Sequence, residues 1–330
     1  MARRFPATSF ALPLCFALAA LNPPASAVVQ PGSHLPIVET DRIDVGSSTL
    51  QVDFAEGQLD LPRQTFLAHI AAAASAVATY YGRFPVATAR VLVIPVAGRH
   101  GILQGITWGD MHGSPGFTRI RIGQHTTPAD LAADWMITHM AFPSMPDDQH
   151  WIEEGLATYI EPIARVMTGN LTAEKIWTDM VRDMPQGEPA PGDQGLDHTH
   201  TWGRTYWGGA MFSLVADVEI RRETHNRKGL QDALRAIVNA GGTIDHDWTL
   251  PQALAIGDRA TNTHVLTRLY DDWKDKPVQV DLPALWSKLG IRSTPDGIGF
   301  VGSAPLAGVR EAITRSKQNP VTASVAPQSQ

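Results

Sequence analysis

Residues 134–161 read DWMITHMAFPSMPDDQHWIEEGLATYIE, and this stretch decides how the chain is understood. Leu131, Trp135, His139 and Phe142 recur at helical spacing. That period predicts a helix over 127–142 with His139 turned toward the core. Thr127 suits its N-cap, Pro128 its first turn and Asp130 its dipole, and Pro143 stops it. After a short loop, Asp147 or Asp148 caps a second helix over 149–161, bent or ended at Pro162. The tight connection brings His139 toward His150, Glu153 and Glu154. A buried imidazole facing a carboxylate on the next helix is half of a zinc site; it is equally a core histidine satisfied by an acid. The spacing leaves both readings open.

Upstream, the pattern is mixed. Residues 49–54 (TLQVDF) and 90–96 (RVLVIPV) read as strands, and an Ala-rich helix is expected over 61–81, ending at Gly82. Residues 105–110 and 117–122 (FTRIRI) alternate like strands of a half-exposed sheet joined by a Gly/Pro loop. Downstream, helices dominate: 172–184, a long one over 203–224 with Trp207, Met211, Leu214 and Val218 on one stripe, then 230–239, 250–256, 264–273 and 283–289. The expected organisation is a small α/β lobe over 28–126, a helical lobe over 127–317 and a disordered tail over 318–330, which has no apolar period. The class is α+β, mostly helical.

The first residues read as an export signal. Arg3 and Arg4 precede an apolar run from Phe10 to Leu21, and Ala25-Ser26-Ala27 offers the small residues of a cleavage site. The run is too short for a membrane span. Residues before Cys15 do not suit lipid attachment. Cleavage after Ala27 removes the chain's one cysteine, so disulfides and thiolate ligands are excluded, and any metal must rely on His, Asp or Glu. The mature chain is then expected to be periplasmic or secreted, with no membrane span. A formal net charge of −6 without Lys/Arg blocks argues against nucleic acid as a partner.

The words around the two acids carry a resemblance. Trp151-Ile152-Glu153-Glu154-Gly155-Leu156-Ala157-Thr158-Tyr159 resembles the W-x-x-E-G-x-A-x-Y segment of gluzincin zinc metallopeptidases. Residues 204–210 (RTYWGGA), 217–224 (DVEIRRET) and 228–234 (KGLQDAL) look like the glycyl aminopeptidase-type branch of that clan. The likeness runs in order over about residues 128–290. It implies a thermolysin- or gluzincin-like domain, Zn2+ as cofactor and a peptide or protein substrate. In that family two histidines of H-E-x-x-H bind zinc, the Glu between them activates a water, and a Glu on the next helix completes the set. Carried over by position, His139 is one metal ligand, Glu154 (with Glu153 as fallback) the distal ligand, and Tyr206 the donor to the oxyanion. The edge strand near 105–110 would take substrate backbone by strand addition.

The departure matters more than the match. No H-E-x-x-H occurs in the chain. Aligning His139 as the second histidine puts Trp135 and Met136 where the first histidine and the general base belong. If four residues are missing beside His139, both flanks read naturally. Four residues are close to one helical turn, so their loss rotates the downstream segment by only about 40°. Such a loss removes a ligand and the base together while leaving the fold standing. His150, His198 and His200 are the substitutes at hand. Asp217 is either a supporting acid behind Tyr206 or a plain salt bridge, and Arg221-Arg222-Glu223 reads as a solvated helix end. The chain is thus read as a metallopeptidase relative with impaired catalysis; the alternative is a non-catalytic protein that binds peptide or envelope partners.

Overall fold

The apolar alternation of the first third assembles a mixed sheet. The computed structural model describes residues 35–111, 113–133, 136–294 and 297–326. Its sheet comprises β1 (Ile37–Val45), β2 (Ser48–Ala55), β3 (Thr88–Val96), β4 (Ile102–Met111), β5 (Ser114–Gly123) and β8 (Ala323–Val325). These six strands lie in the order β4-β5-β3-β2-β1-β8. β2, β3 and β5 run parallel, while β1, β4 and β8 pair antiparallel to their neighbours. The parallel step from β2 to β3 needs a crossover, and α1 (Arg63–Tyr81) supplies it. Leu50, Val52, Val91, Val93, Ile120 and Ile122 alternate inward and join α1 in the core. β4 is one edge of the sheet. Gly109 on β4 lets the backbone of Ile244 and Asp245 lie against it; a Cβ there would sit 2.0 Å from the Ile244 carbonyl oxygen.

Among the described residues, nine further helices follow: α2 (Pro128–Ala133), α3 (His150–Met167), α4 (Ala173–Asp183), α5 (Gly209–Glu223), α6 (Leu230–Asn239), α7 (Leu250–Thr261), α8 (Val265–Trp273), α9 (Leu282–Leu289) and α10 (Ala307–Ile313). A short hairpin of β6 (Ile291–Thr294) and β7 (Gly297–Phe300) lies between α9 and α10. Sheet and helices belong to one compact unit beginning at Pro36. The fold is α+β, as the pattern predicts.

Asp217 ties three of these helices. Its carboxylate accepts from Tyr159 Oη on α3 (3.0 Å), Arg221 Nε on α5 (2.8 Å) and the backbone N–H of Leu230 at the start of α6 (2.9 Å). Of the two readings of Asp217, the salt bridge is the one found. Arg221 is correspondingly half-buried, with 11% of its side chain exposed, whereas Arg222 and Glu223 are exposed as expected of a helix end.

Several expectations need correction. The helix expected over 127–142 is interrupted. Thr127 and Asp130 form a reciprocal cap on α2 (2.8 and 3.2 Å), but Met136–Ala141 is a 3-10 turn. That turn is fastened to the 244–247 loop: Ile244 N donates to Met140 O (3.4 Å) and Ser144 N to His246 O (3.0 Å). Pro162 does not end its helix, because α3 buries Tyr159, Ile163, Ala164 and Val166 on either side of it, and that burial exceeds the roughly 3 kcal/mol penalty of an internal proline. The tail expected to lack order from 318 contributes β8 instead. Val321 N donates to Thr79 Oγ1 (2.9 Å) and Ala326 N to Arg42 O (2.8 Å), so α1 and β1 supply partners that the polar tail lacks by itself. The export signal expected over 1–27 lies outside the described residues, as do Asp134 and Trp135.

α3 crosses α5 closely at a pair of glycines. A Cβ on Gly155 would stand 2.3 Å from the Gly209 backbone, and one on Gly209 would stand 2.3 Å from the Trp151 carbonyl oxygen. Replacing Gly155 by Ala is therefore expected to destabilise the protein by about 1–3 kcal/mol through overpacking, despite the roughly 1 kcal/mol that Ala gains in helix propensity. Gly308→Ala on α10, where a Cβ meets nothing within 4 Å, is expected to be neutral or stabilising. Urea unfolding of the two variants reads the difference, and equal midpoints would contradict the close crossing.

Candidate functional site

The glycine crossing brings the first turn of α3 beside the turn that precedes α5. Residues Arg204–Gly208 form a single π turn running straight into α5. Such turns widen the helix and re-aim one side chain. Here Tyr206 is the residue presented, and its phenol lies near enough to the Glu154 carboxylate for the two to shift each other's pKa. The π turn is itself held from behind. Arg204 is buried, donates through Nη1 to Gly187 O (2.6 Å) and sets Nε 2.7 Å from Asp193 Oδ2. Gly187 and Gly203 let the two backbones touch, since a Cβ on either would lie 2.3 Å from the other segment. Trp202 stacks on Tyr206 with ring centres 5.6 Å apart, and 61% of it is exposed.

Glu154 is the centre of the arrangement. Its Oε2 lies 3.8 Å from His139 Nε2, and its Oε1 lies 3.0 Å from His150 Nε2. His150 turns its other nitrogen, Nδ1, to Glu153 Oε2 at 3.0 Å. Only 15% of the Glu154 side chain is exposed. Burial by itself raises the Glu154 pKa, but the His150 hydrogen bond and the charges of His139 and His150 outweigh it and leave the carboxyl below its usual range. Hydrogen bonds to Glu153 and then Glu154 push the His150 imidazole up to about 10. Burial first, and the Glu154 charge second, raise the Tyr206 phenol. Near neutrality the group is thus a cationic His150 imidazole against an ionised Glu154, with a neutral Tyr206 phenol nearby.

The structure brings together every residue that the resemblance singled out. His139, Glu154 and Tyr206 converge, Glu153 is adjacent, and His150 joins them. His198 instead pairs with Asp275 (2.9 Å). Arg204, Asp193 and Trp202 were not anticipated. Arg204 adjoins Tyr206 in the quoted segment, but nothing in its spacing announces a buried pair with a loop residue eleven positions earlier.

These donors fall short of a zinc centre. A gap of 3.8 Å between His139 Nε2 and Glu154 Oε2 can be bridged by one ion, given bonds of about 2.0–2.2 Å on each side. A catalytic zinc keeps three protein ligands, and among the described residues no three His, Cys, Asp or Glu side chains are grouped to hold a metal. His150 does not supply the third, because a metal ligand must present a free lone pair and both of its nitrogens face carboxylates. The described residues do not fit a catalytic zinc.

No protein-family model matches the sequence, and no curated protein matches it. Solved structures do. An aminopeptidase N family protein from Idiomarina loihiensis superposes with a TM-score of 0.57 at 11% identity, over 77% of this chain and 49% of that one. A two-domain M1 zinc metallopeptidase variant bound to L-arginine gives 0.49 at 15% identity, over 74% and 53%. The M1 zinc metallopeptidase from Deinococcus radiodurans gives 0.45 at 14%, over 74% and 52%. Only the first of these exceeds 0.5, and the shared fold rests on it. The chain spans about half the length of the solved structures it matches. Its fold is that of the gluzincin-type metallopeptidases.

The ion pair on Glu154 has a pH signature in chelator-treated protein. A histidine whose pKa rises from 6.5 to about 10 on folding stabilises the fold fully below the lower value and loses that contribution as pH climbs through the upper one. The stability gap between wild type and His150→Gln is therefore expected to be widest near pH 6 and to close by about pH 10. It should also shrink in salt, because about half of the His150 side chain is exposed. Thermal unfolding across that range checks this, and a gap independent of pH would refute the pairing.

Proposed function

We propose that this chain is an exported protein of metallopeptidase fold that receives peptides but hydrolyses them poorly. The observation that carries this reading is the state of Glu154. Each of its oxygens faces an imidazole nitrogen, and the Tyr206 phenol lies near the same carboxylate. In the resemblance this acid is a zinc ligand, His139 another, and Tyr206 an oxyanion donor. The second histidine and the general base of H-E-x-x-H have no counterpart in the sequence. Loss of a general base alone slows a reaction by on the order of 10²–10⁴, and the ligand goes with it.

Peptide reception is supported by β4. An edge strand presents unpaired N–H and C=O groups to which an extended peptide adds as a further strand, and β4 is such an edge. The exposed Trp202 ring and the Tyr206 phenol give bound side chains an aromatic contact. Export is supported by the basic start, apolar run and Ala25-Ser26-Ala27 of the first 27 residues. No described helix is long and apolar enough to cross a membrane.

A second reading, a binding protein with no turnover at all, is favoured by His150. Its imidazole stands where it satisfies Glu154 Oε1 at 3.0 Å, so the carboxylate has a cationic partner without a metal.

Insertion of Glu-Ala-Ala-His directly after His139 tests both readings. Wild type is expected to cleave a peptide library in zinc at least about 10²-fold more slowly than the insertion variant, and unstimulated wild-type turnover distinguishes the first reading from the second. Fast, chelator-sensitive cleavage by wild type, or an insertion variant that folds yet gains neither zinc nor activity, would overturn the proposal.

A further inference from the structure

Outside that site, two loops are fastened to each other and each carries a histidine. His100 lies in the turn between β3 and β4, where Gly98 and Gly101 take positive φ (64° and 69°). His125 lies just after β5. Backbone bonds pin the loops together: Gly123 N to Gly101 O (2.8 Å), His125 N to Arg99 O (2.8 Å) and Gln124 N to Val96 O (2.9 Å). The approach is so close that a Cβ on Gly123 would lie 2.4 Å from the backbone of Arg99 and His100. The Cα positions of both histidines are therefore fixed by main-chain geometry, not by their own side chains.

Their rings are placed accordingly. The centroids are 5.4 Å apart and the planes are tilted by 46°, so the rings are not stacked on each other. Two imidazoles sharing one tetrahedral zinc stand with ring centres roughly 5 Å apart, given bonds of about 2.0–2.1 Å. His125 Nδ1 is 2.7 Å from Asp60 Oδ2, and a carboxylate in that position keeps the proton on Nδ1 and leaves the Nε2 lone pair free. A carboxylate behind a histidine is the arrangement that orients imidazole ligands toward a metal. Asp60 is itself held in register by its backbone N–H, which donates to Gln124 O (2.9 Å).

A second carboxylate is near this turn: a Cβ on Gly101, next to His100, would lie 4.0 Å from Asp130 Cβ. Hydrogen bonds from the Thr127 backbone and hydroxyl hold the Asp130 carboxyl low, and the charge of His100 lowers it further. Both Thr127 bonds fall on Oδ2. No three of these donors are already gathered at coordination distance among the described residues.

We infer that His100 and His125, the latter oriented by Asp60 and with Asp130 or water completing the shell, form a surface site for an imidazole-seeking divalent ion of the zinc, nickel or copper type. The ion clips the β3–β4 turn to the connection between β5 and α2. A two-imidazole site is open and binds more weakly than a closed structural one, and it does not depend on the reading of Glu154.

The test is a Zn2+ titration of tag-free, chelator-stripped protein by calorimetry, with the thermal midpoint followed in parallel. One site is expected, with a rise in midpoint because the ion binds only the folded chain. Kd should weaken at least tenfold in His100→Gln and in His125→Gln, and about tenfold in Asp60→Ala, the usual effect of removing an outer-shell partner. Circular dichroism checks that these surface variants stay folded. Absence of binding, or binding that survives the His100→Gln/His125→Gln double variant, would overturn the inference and leave the proposed function standing. Binding abolished by His139→Ala instead would overturn both.

Discussion

The contact between Gly155 and Gly209 governs the geometry of everything around it. Two helices whose backbones touch cannot slide or rotate without opening a gap or a clash. The residue before Gly155 is Glu154, and the π turn carrying Tyr206 ends immediately before Gly209. The crossing therefore fixes an acid and a phenol against each other with no need for a metal to draw them together. Asp217 continues the same bracing one layer further in, joining Tyr159 on α3 to Arg221 on α5 and to the first N–H of α6. Arg204 and Asp193 do the same for the π turn from its outer side.

Within this frame the chemistry turns on what neutralises Glu154. A largely buried carboxylate needs either a cation or several donors. A metal would serve in a complete peptidase centre; here His150 takes up one oxygen, and His139 lies farther from the other. His150 sits in the first turn of α3, where helix geometry sets its side chain over residues three and four positions on. It reaches both Glu153 and Glu154 by local geometry alone. An imidazole so held, with both nitrogens facing carboxylates, is a poor metal ligand.

Much of this was legible in the sequence because it is local. The apolar periods of β2, β3, β5, α1 and α6 to α9, and the Thr127 cap, follow from near neighbours along the chain. The convergence of His139, Glu154 and Tyr206 followed from resemblance, with helix spacing alone leaving a core histidine equally open. What escaped was non-local. β1 has exposed residues over half its length and shows no clean alternation, yet it pairs with β2 on one side and β8 on the other. β8 is only three residues long and sits in a polar tail, and α1 and β1 supply its backbone partners. The 3-10 turn that carries His139 is tethered to the 244–247 loop a hundred residues away. The π turn is set by tertiary packing on Gly187 and Asp193, and helical periodicity cannot distinguish it from the α-helix it joins.

The carboxylate of Glu154 thus faces two imidazoles of this protein, and among the described residues no three-ligand group surrounds it. An anomalous difference map at the zinc edge, from crystals of chelator-stripped protein grown with zinc, examines that site without intermediaries. No full-occupancy peak is expected between His139 Nε2 and Glu154 Oε2, with His150 still in hydrogen-bonding contact with Glu154. A full-occupancy ion there, held by three protein ligands, would show that Glu154 serves a metal after all.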